Sequence, residues 1–177
     1  MSAEGAWPVA APVASARLWL EPLRVEHARE AVSVFDDVRL HTWTGGSPAS
    51  LEQLEARYRR QSVGRSPDGT SGWLNWMLRR VSDHQLVGTV QATLHRPVVN
   101  RLEAEVAWVV GVQYQGNGYG REGALAMATL LRAQGVEGLA AHIHPGNAAS
   151  VGIARALGLT ATDTVCDGEI RWSDSGR

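Results

Sequence analysis

Gln115-Gly116-Asn117-Gly118-Tyr119-Gly120-Arg121-Glu122-Gly123 follows an apolar run and precedes a helical pattern. It places Gly116, Gly118 and Gly120 at what reads as a strand-to-helix junction. A helix start offers N–H groups without intrahelical partners and the positive end of the helix dipole. Glycine lets the backbone take positive φ and come close to an anion. Strand, glycine turn and helix start together predict an anion cradle suited to a pyrophosphate.

Working outward, alternation and turn residues predict the flanking elements. Arg17 to Leu23 reads as a first strand, and Val25 to Val38 carries Ala28, Ala31, Val32 and Phe35 at helical spacing. Gly45 to Pro48 is a loop; Ser50, with Gln53 as a capping box, opens a second helix that runs to about Ser62. After a polar loop from Gly64 to Gly72, Trp73–Val81, Leu86–Leu94 and Arg101–Val110 read as an antiparallel meander. A helix from about Gly118 to Gln134 is closed by Gly135, and a strand covers Leu139–His144. A short helix runs from Asn147 to Gly158, and Thr160–Cys166 with Glu169–Trp172 form a hairpin turned at Asp167-Gly168. The predicted fold is α+β: one domain over 17–177, with a central, mostly antiparallel sheet of about seven strands and about four helices. Residues 1–16, with Pro8 and Pro12, read as a loose tail; they lack the charged start and unbroken apolar core of a signal peptide.

The 177 residues suit one domain. Cys166 is the lone cysteine, so there is no internal disulfide or cysteine-rich metal site, and it reads as inert strand core. Every basic residue is arginine, so no lysine is available for acylation or Schiff-base chemistry. A net charge of −1 argues against a dedicated nucleic-acid binder. No run is long enough to span a membrane. The expectation is a cytoplasmic monomer or homodimer that uses no metal; His142 and His144 share a strand face but lack further ligands.

Several loops bind pyrophosphate. Gly118, Gly120 and Gly123 match G-x-G-x-x-G, but the next strand carries no acid at its end and too little chain follows for a dinucleotide domain. A Walker loop needs a lysine. Gln115, Gly118 and Gly120 satisfy Gln/Arg-x-x-Gly-x-Gly/Ala, and here the sequence resembles the GNAT superfamily of N-acetyltransferases. The resemblance is to its branch that includes ribosomal-protein N-terminal acetyltransferases. Arg17 to Leu23, Glu105-Val106-Ala107-Trp108, Asn147 to Ser150 with Leu157-Gly158-Leu159, and Asp167 to Glu169 with Trp172 are similar to other segments of that branch.

The resemblance implies acetyl-CoA, with its pyrophosphate on Gln115, Gly116, Asn117, Gly118, Tyr119 and Gly120. The pantetheine arm would pair beside Val110 and Val112, held also by Asn147. Asn147 equally suits a helix N-cap, and the two roles are compatible. The implied reaction is direct acetyl transfer to a primary amine, of a small molecule or a protein N-terminus, within a ternary complex. A backbone N–H, that of Val110, would stabilise the oxyanion; such a donor is worth about 3 kcal/mol.

Glu103 and Glu105 share one strand face. Glu105 is the candidate base, directly or through water, and a paired structural carboxylate is the competing reading. Where many GNAT enzymes carry a tyrosine acid, Ala154 stands; Ser150 is the substitute acid, or else a residue that caps and packs. Trp43, Trp76 and His144 are expected to line the acceptor side, with Trp73 and Trp108 in the core. A non-catalytic acyl-CoA-binding module and an enzyme using another acyl-CoA remain as alternatives.

Overall fold

The computed structural model describes residues 6–174. Its strands are β1 (Val13–Ala14), β2 (Leu18–Pro22), β3 (Gly72–Arg80), β4 (Leu86–His95), β5 (Glu103–Val110), β6 (Gly138–Ile143), β7 (Thr160–Cys166) and β8 (Glu169–Ser173). They form one sheet in the order β1-β2-β3-β4-β5-β6-β8-β7. All neighbours are antiparallel except β5 and β6. The helices are α1 (Ala28–Val34), α2 (Leu51–Gln61), α3 (Tyr119–Ala133) and α4 (Ala148–Ala156).

Helices cover both faces, so both parity classes of the central strands are apolar. Leu74, Trp76 and Leu78 of β3 join Val90, Ala104 and Val106 and pack on Met127 and Leu131 of α3. On the other face Met77 packs with Ala28, Ala31, Leu54 and Tyr58 of α1 and α2. Trp76 is 0% exposed, and its indole N–H donates to the Ala11 carbonyl at 2.8 Å. The expected role for Trp76 beside the acceptor therefore falls: its position puts it in the core under α3.

Local signals explain most boundaries. At α2, Ser50 Oγ accepts from the Gln53 N–H (3.2 Å) while Gln53 Oε1 accepts from the Ser50 N–H (2.9 Å). Asp167 and Gly168, at φ 50° and 82°, turn the last hairpin. The first helical stretch is shorter than expected. It is a 3₁₀ turn (Val25–His27), then α1, then a second 3₁₀ turn (Val38–His41). The break lies at Asp37, whose carboxylate accepts from the Arg39 N–H (2.9 Å) and starts a new turn.

The expected loose tail is largely docked; residues 1–5 of it lie outside the described residues. β1 pairs with β2, adding an eighth strand. The Trp7 ring lies on Gly72, where a Cβ would stand 2.8 Å from it, and Arg96 stacks over the same ring at 3.9 Å. Buried tryptophan surface and ladder hydrogen bonds outweigh the entropy of ordering a proline-containing segment.

A charged network pins α1 to the sheet. Buried His27 accepts from the Arg24 N–H at Nδ1 (2.9 Å), so its Nε2–H donates to Glu21 (3.0 Å). Arg79 donates to Glu21 (2.9 Å) and to both oxygens of Glu30 (2.9 and 3.0 Å). Burial pushes the Glu21 carboxyl up, but the Arg79 and His27 hydrogen bonds outweigh it and leave its pKa lowered; Glu30 is lowered chiefly by its hydrogen bonds from Arg79. A depressed carboxylate pKa contributes stability above the unfolded value, and that stability is lost as pH falls through the folded one. Arg79→Met is expected to cost about 2 kcal/mol at pH 7. The gap to the parent protein should narrow as pH falls below the ordinary glutamate range, measured by urea unfolding at pH 7 and about pH 3.

Candidate active site

β5 and β6 pair over only three registers, Glu103↔Gly138, Ala104↔Leu139 and Glu105↔Ala140, and then part. The Gly111 N–H donates to the Val87 carbonyl of β4 (2.9 Å), whereas the Leu102 carbonyl accepts from Glu137 on the β6 side (2.8 Å). Odd residues of β5 thus direct their backbone groups to β4, and even residues direct theirs towards β6. Past Glu105, Trp108 and Val110 present theirs to an opening gap. The gap widens into a cleft of about 600 Å³ lined by Trp108, Val110, Gln115, Gly118, Asn147 and Ser150, among others.

The glycine segment forms one end of the cleft. Gly116 and Gly118 take φ of 78° and 81°, and Gly118 is the N-cap of α3. Arg121, in the first turn of α3, lines the cleft beside the helix's free N–H groups. A Cβ on Gly120 would stand 3.1 Å from Ile153 Cδ1 and 3.3 Å from Val110 Cγ2, so this glycine lets α3 lie close to β5 and α4. Arg17 straps the loop from outside, donating to the Asn117 carbonyl (2.8 Å) and to Glu122 (2.7 Å). These features suit a diphosphate carrying an extended, amide-bearing arm, the chemistry of coenzyme A.

Gln115, Gly116, Gly118, Tyr119, Gly120, Val110, Asn147, Ser150 and Trp43 all line the cleft. Asn117 does not: its amide braces the loop from within, donating to the carbonyls of Tyr114 (2.9 Å) and Gln115 (3.2 Å). Val112 lies in a 3₁₀ turn (Val112–Tyr114) past the end of β5, so it offers no strand edge to a ligand. The Val110 carbonyl accepts from Gln115 Nε2 (3.0 Å), leaving the Val110 N–H as its open group.

Asn147 Oδ1 accepts from the Ser150 N–H (3.2 Å), which caps α4 and leaves the Asn147 amino group for the cleft. Trp108, expected in the core, forms a wall instead, and its indole N–H donates to Ser150 Oγ (3.1 Å). Because Oγ accepts that bond, its own proton is free to be donated.

Glu105 and His144 stand outside the cleft. Glu105 pairs with His142 and lies 3.8 Å from His95, on the face of β5 turned to α1 and α2. His144 accepts from the Gly146 N–H at Nδ1 (3.0 Å), so its neutral ring carries the proton on Nε2 and offers no lone pair there. Its ring stacks on Trp43 at 4.9 Å, and Trp43 lies against Gly146, where a Cβ would meet it at 2.8 Å. This stack ties the connection between α1 and α2 to the turn before α4.

Arg39, Leu40 and Thr44 also line the cleft and had no sequence signal, because an unforeseen 3₁₀ turn brings them there. Arg121 had one: a base in the first turn after a glycine cradle. Among the described residues, no group of three or more His, Cys, Asp or Glu side chains is placed to hold a metal, and no helix is long and apolar enough to cross a membrane.

The model of the acetyltransferase (GNAT) domain family matches residues 17–160. The chain belongs to the GNAT acetyltransferase family, whose members use acetyl-CoA. Solved structures share the fold. A Salmonella typhimurium acetyl transferase that modifies the N-terminal serine of ribosomal protein L7/L12 is 14% identical, with TM-score 0.73, over 92% of this chain and 98% of that one. RimL, a ribosomal L7/L12 α-N-protein acetyltransferase solved with coenzyme A, is 13% identical, with TM-score 0.73, over 92% and 97%. An Agrobacterium tumefaciens acetyltransferase is 20% identical, with TM-score 0.69, over 96% and 97%. No curated protein matches the sequence.

A side chain at Gly118 is strained by its positive φ, at about 1–2 kcal/mol for an L-residue. Gly118→Ala is therefore expected to weaken coenzyme A binding about tenfold by calorimetry, with an unaltered circular dichroism spectrum. Unchanged affinity would remove the loop from the binding site.

Proposed function

We propose that this protein transfers the acetyl group of acetyl-CoA to a primary amine by direct attack in a ternary complex. The observation that carries the reading is the strand gap at Trp108 and Val110, bounded by the glycine cradle at one end and bridged by the Trp108–Ser150 hydrogen bond. The chain would hold the diphosphate on the N–H groups at the start of α3. The open N–H of Trp108 or Val110 would take the negative charge that develops on the thioester oxygen. A bond forms from the amine nitrogen to the acetyl carbon as the carbon–sulfur bond breaks. Ser150 gives its proton to the departing sulfur.

Glu105 would take the amine's proton through a relay of several waters. It shares a face of β5 with Val109 but lies four residues short of it, about 13 Å at the rise of a strand. The acceptor is a small-molecule amine or a protein N-terminus; the latter is supported by the neighbours that modify ribosomal protein L7/L12. A cytoplasmic location goes with this reading, as monomer or homodimer, without nucleic acid, membrane or metal as partner.

Ser150→Ala should lower kcat about a hundredfold while leaving acetyl-CoA affinity within a factor of two, read from thiol release and calorimetry. Full turnover by this variant rejects the acid role. Glu105→Gln should lower kcat/KM about a hundredfold and flatten its rise with pH; identical rates at every pH would take Glu105 out of the mechanism. Tight coenzyme A binding without thiol release on any amine would instead mark a binding module.

A further inference from the structure

A second cavity, of about 220 Å³, lies between α2 and the sheet. It shares Leu40, Thr44 and Val109 with the coenzyme cleft, so the two adjoin at the end of β5. Its sides are apolar, with Leu23, Phe35 and Leu54. Its far end holds polar side chains, among them Tyr58, Asn75 and Gln91. Asn75 and Gln91 face each other across β3 and β4, one row beyond the row that holds Thr89 and Val109.

Tyr58 is 6% and Asn75 8% exposed, and among the described residues no hydrogen bond within the chain occupies the Tyr58 hydroxyl or either amide. Their polar atoms stay open to the cavity, and a few polar groups placed at the end of an apolar pocket orient a ligand there. Burial pushes the Tyr58 hydroxyl up to about 12, so it stays a neutral donor across the working pH range. No carboxylate lines the cavity, and Arg57 stands on its rim. A ligand with a second positive charge would find no carboxylate there to offset it.

We propose that this cavity seats the acceptor. The acceptor is a primary monoamine with a compact apolar body and a neutral amide-like group that both donates and accepts hydrogen bonds. The inference rests on the acetyltransferase reading above and gives it a substrate class. The amine points past Val109 to the cleft, and the amide group reaches Tyr58, Asn75 and Gln91. The cavity is smaller than the roughly 300–1,000 Å³ of drug-sized sites, which fits a body of one amino-acid residue. Polyamines and other polycationic amines are disfavoured by charge.

The test compares 5-aminopentanamide, whose amine and amide are separated by four methylenes, with 5-methylhexylamine, the same chain with an isopropyl group in place of the amide, and with spermidine, all with acetyl-CoA and thiol release as readout. A site built around hydrogen bonds rejects the analogue lacking them, so the aminoamide should exceed both by at least about a hundredfold in kcat/KM. Tyr58→Phe and Gln91→Leu should each reduce the ratio of aminoamide to alkylamine about tenfold. Equal use of the two amines, better use of spermidine, or a ratio unmoved in both variants would overturn the proposal. A glycine-initiated tetrapeptide preferred over the aminoamide assigns the chemistry to peptide ends, and the reverse order to free amides. Should no amine release thiol, the acetyltransferase reading fails by itself, and calorimetry on the coenzyme A complex decides the cavity. The aminoamide bound tenfold tighter than 5-methylhexylamine supports the inference; equal affinities sink it.

Discussion

Two parallel strands that begin to pair and then separate create the central feature of this molecule. Up to Glu105 and Ala140, the backbone groups of β5 and β6 satisfy one another. Beyond that point the even residues of β5 keep their orientation and lose their partner, and an unpaired strand edge is a template for another extended chain. In most folds such an edge is covered or blunted. Here it is left open in the middle of an eight-stranded sheet, with a glycine cradle at its end. The pairing of anion cradle and strand edge selects coenzyme A over other pyrophosphates, because that ligand carries both a diphosphate and a run of amides.

Several contacts hold the gap at its width. α3 sits close to β5 because Gly120 presents no side chain, and close to β3 because Gly123 presents none; a Cβ on Gly123 would lie 2.9 Å from Leu78. The Trp108–Ser150 bond joins the strand on one side to the helix on the other. On the opposite face the Trp43–His144 stack ties the α1–α2 connection to the turn before α4. Residues of α3 and α4 line the coenzyme-sized cleft, residues of α2 line the second cavity, and Val109 lines both. The two histidines in this region differ by their hydrogen bonds: His144 supports a wall, while His142 pairs with Glu105 on the sheet face.

Much of this was legible in the residues. The order of elements, the antiparallel character of the sheet, the capping box at Ser50 and the hairpin at Asp167-Gly168 all follow from local rules. The cradle was readable because positive φ demands glycine and α3 announces its start. Trp43 and Trp76 were not separable in the same way. Both are tryptophans near the acceptor side in sequence, yet one is 41% exposed and the other 0%. A strand covered on both faces has no polar parity class to reveal which way a side chain points. The docking of Trp7 and β1 was hidden for a related reason: a segment with prolines and small residues looks disordered until a groove exists to receive it.

The sequence by itself determined the family, the glycine cradle, the cap at Asn147 and the hydroxyl at Ser150, because each depends on residues close in the chain and on backbone geometry that few residue types permit. Tertiary structure alone decided that Trp108 is a cleft wall, that Val112 falls past the strand's end, and that Glu105 stands apart from the cleft. It also decided that Tyr58, Asn75 and Gln91 converge on one cavity. Those facts depend on the register between strands far apart in sequence and on where two strands stop pairing, and no local pattern of residues encodes either.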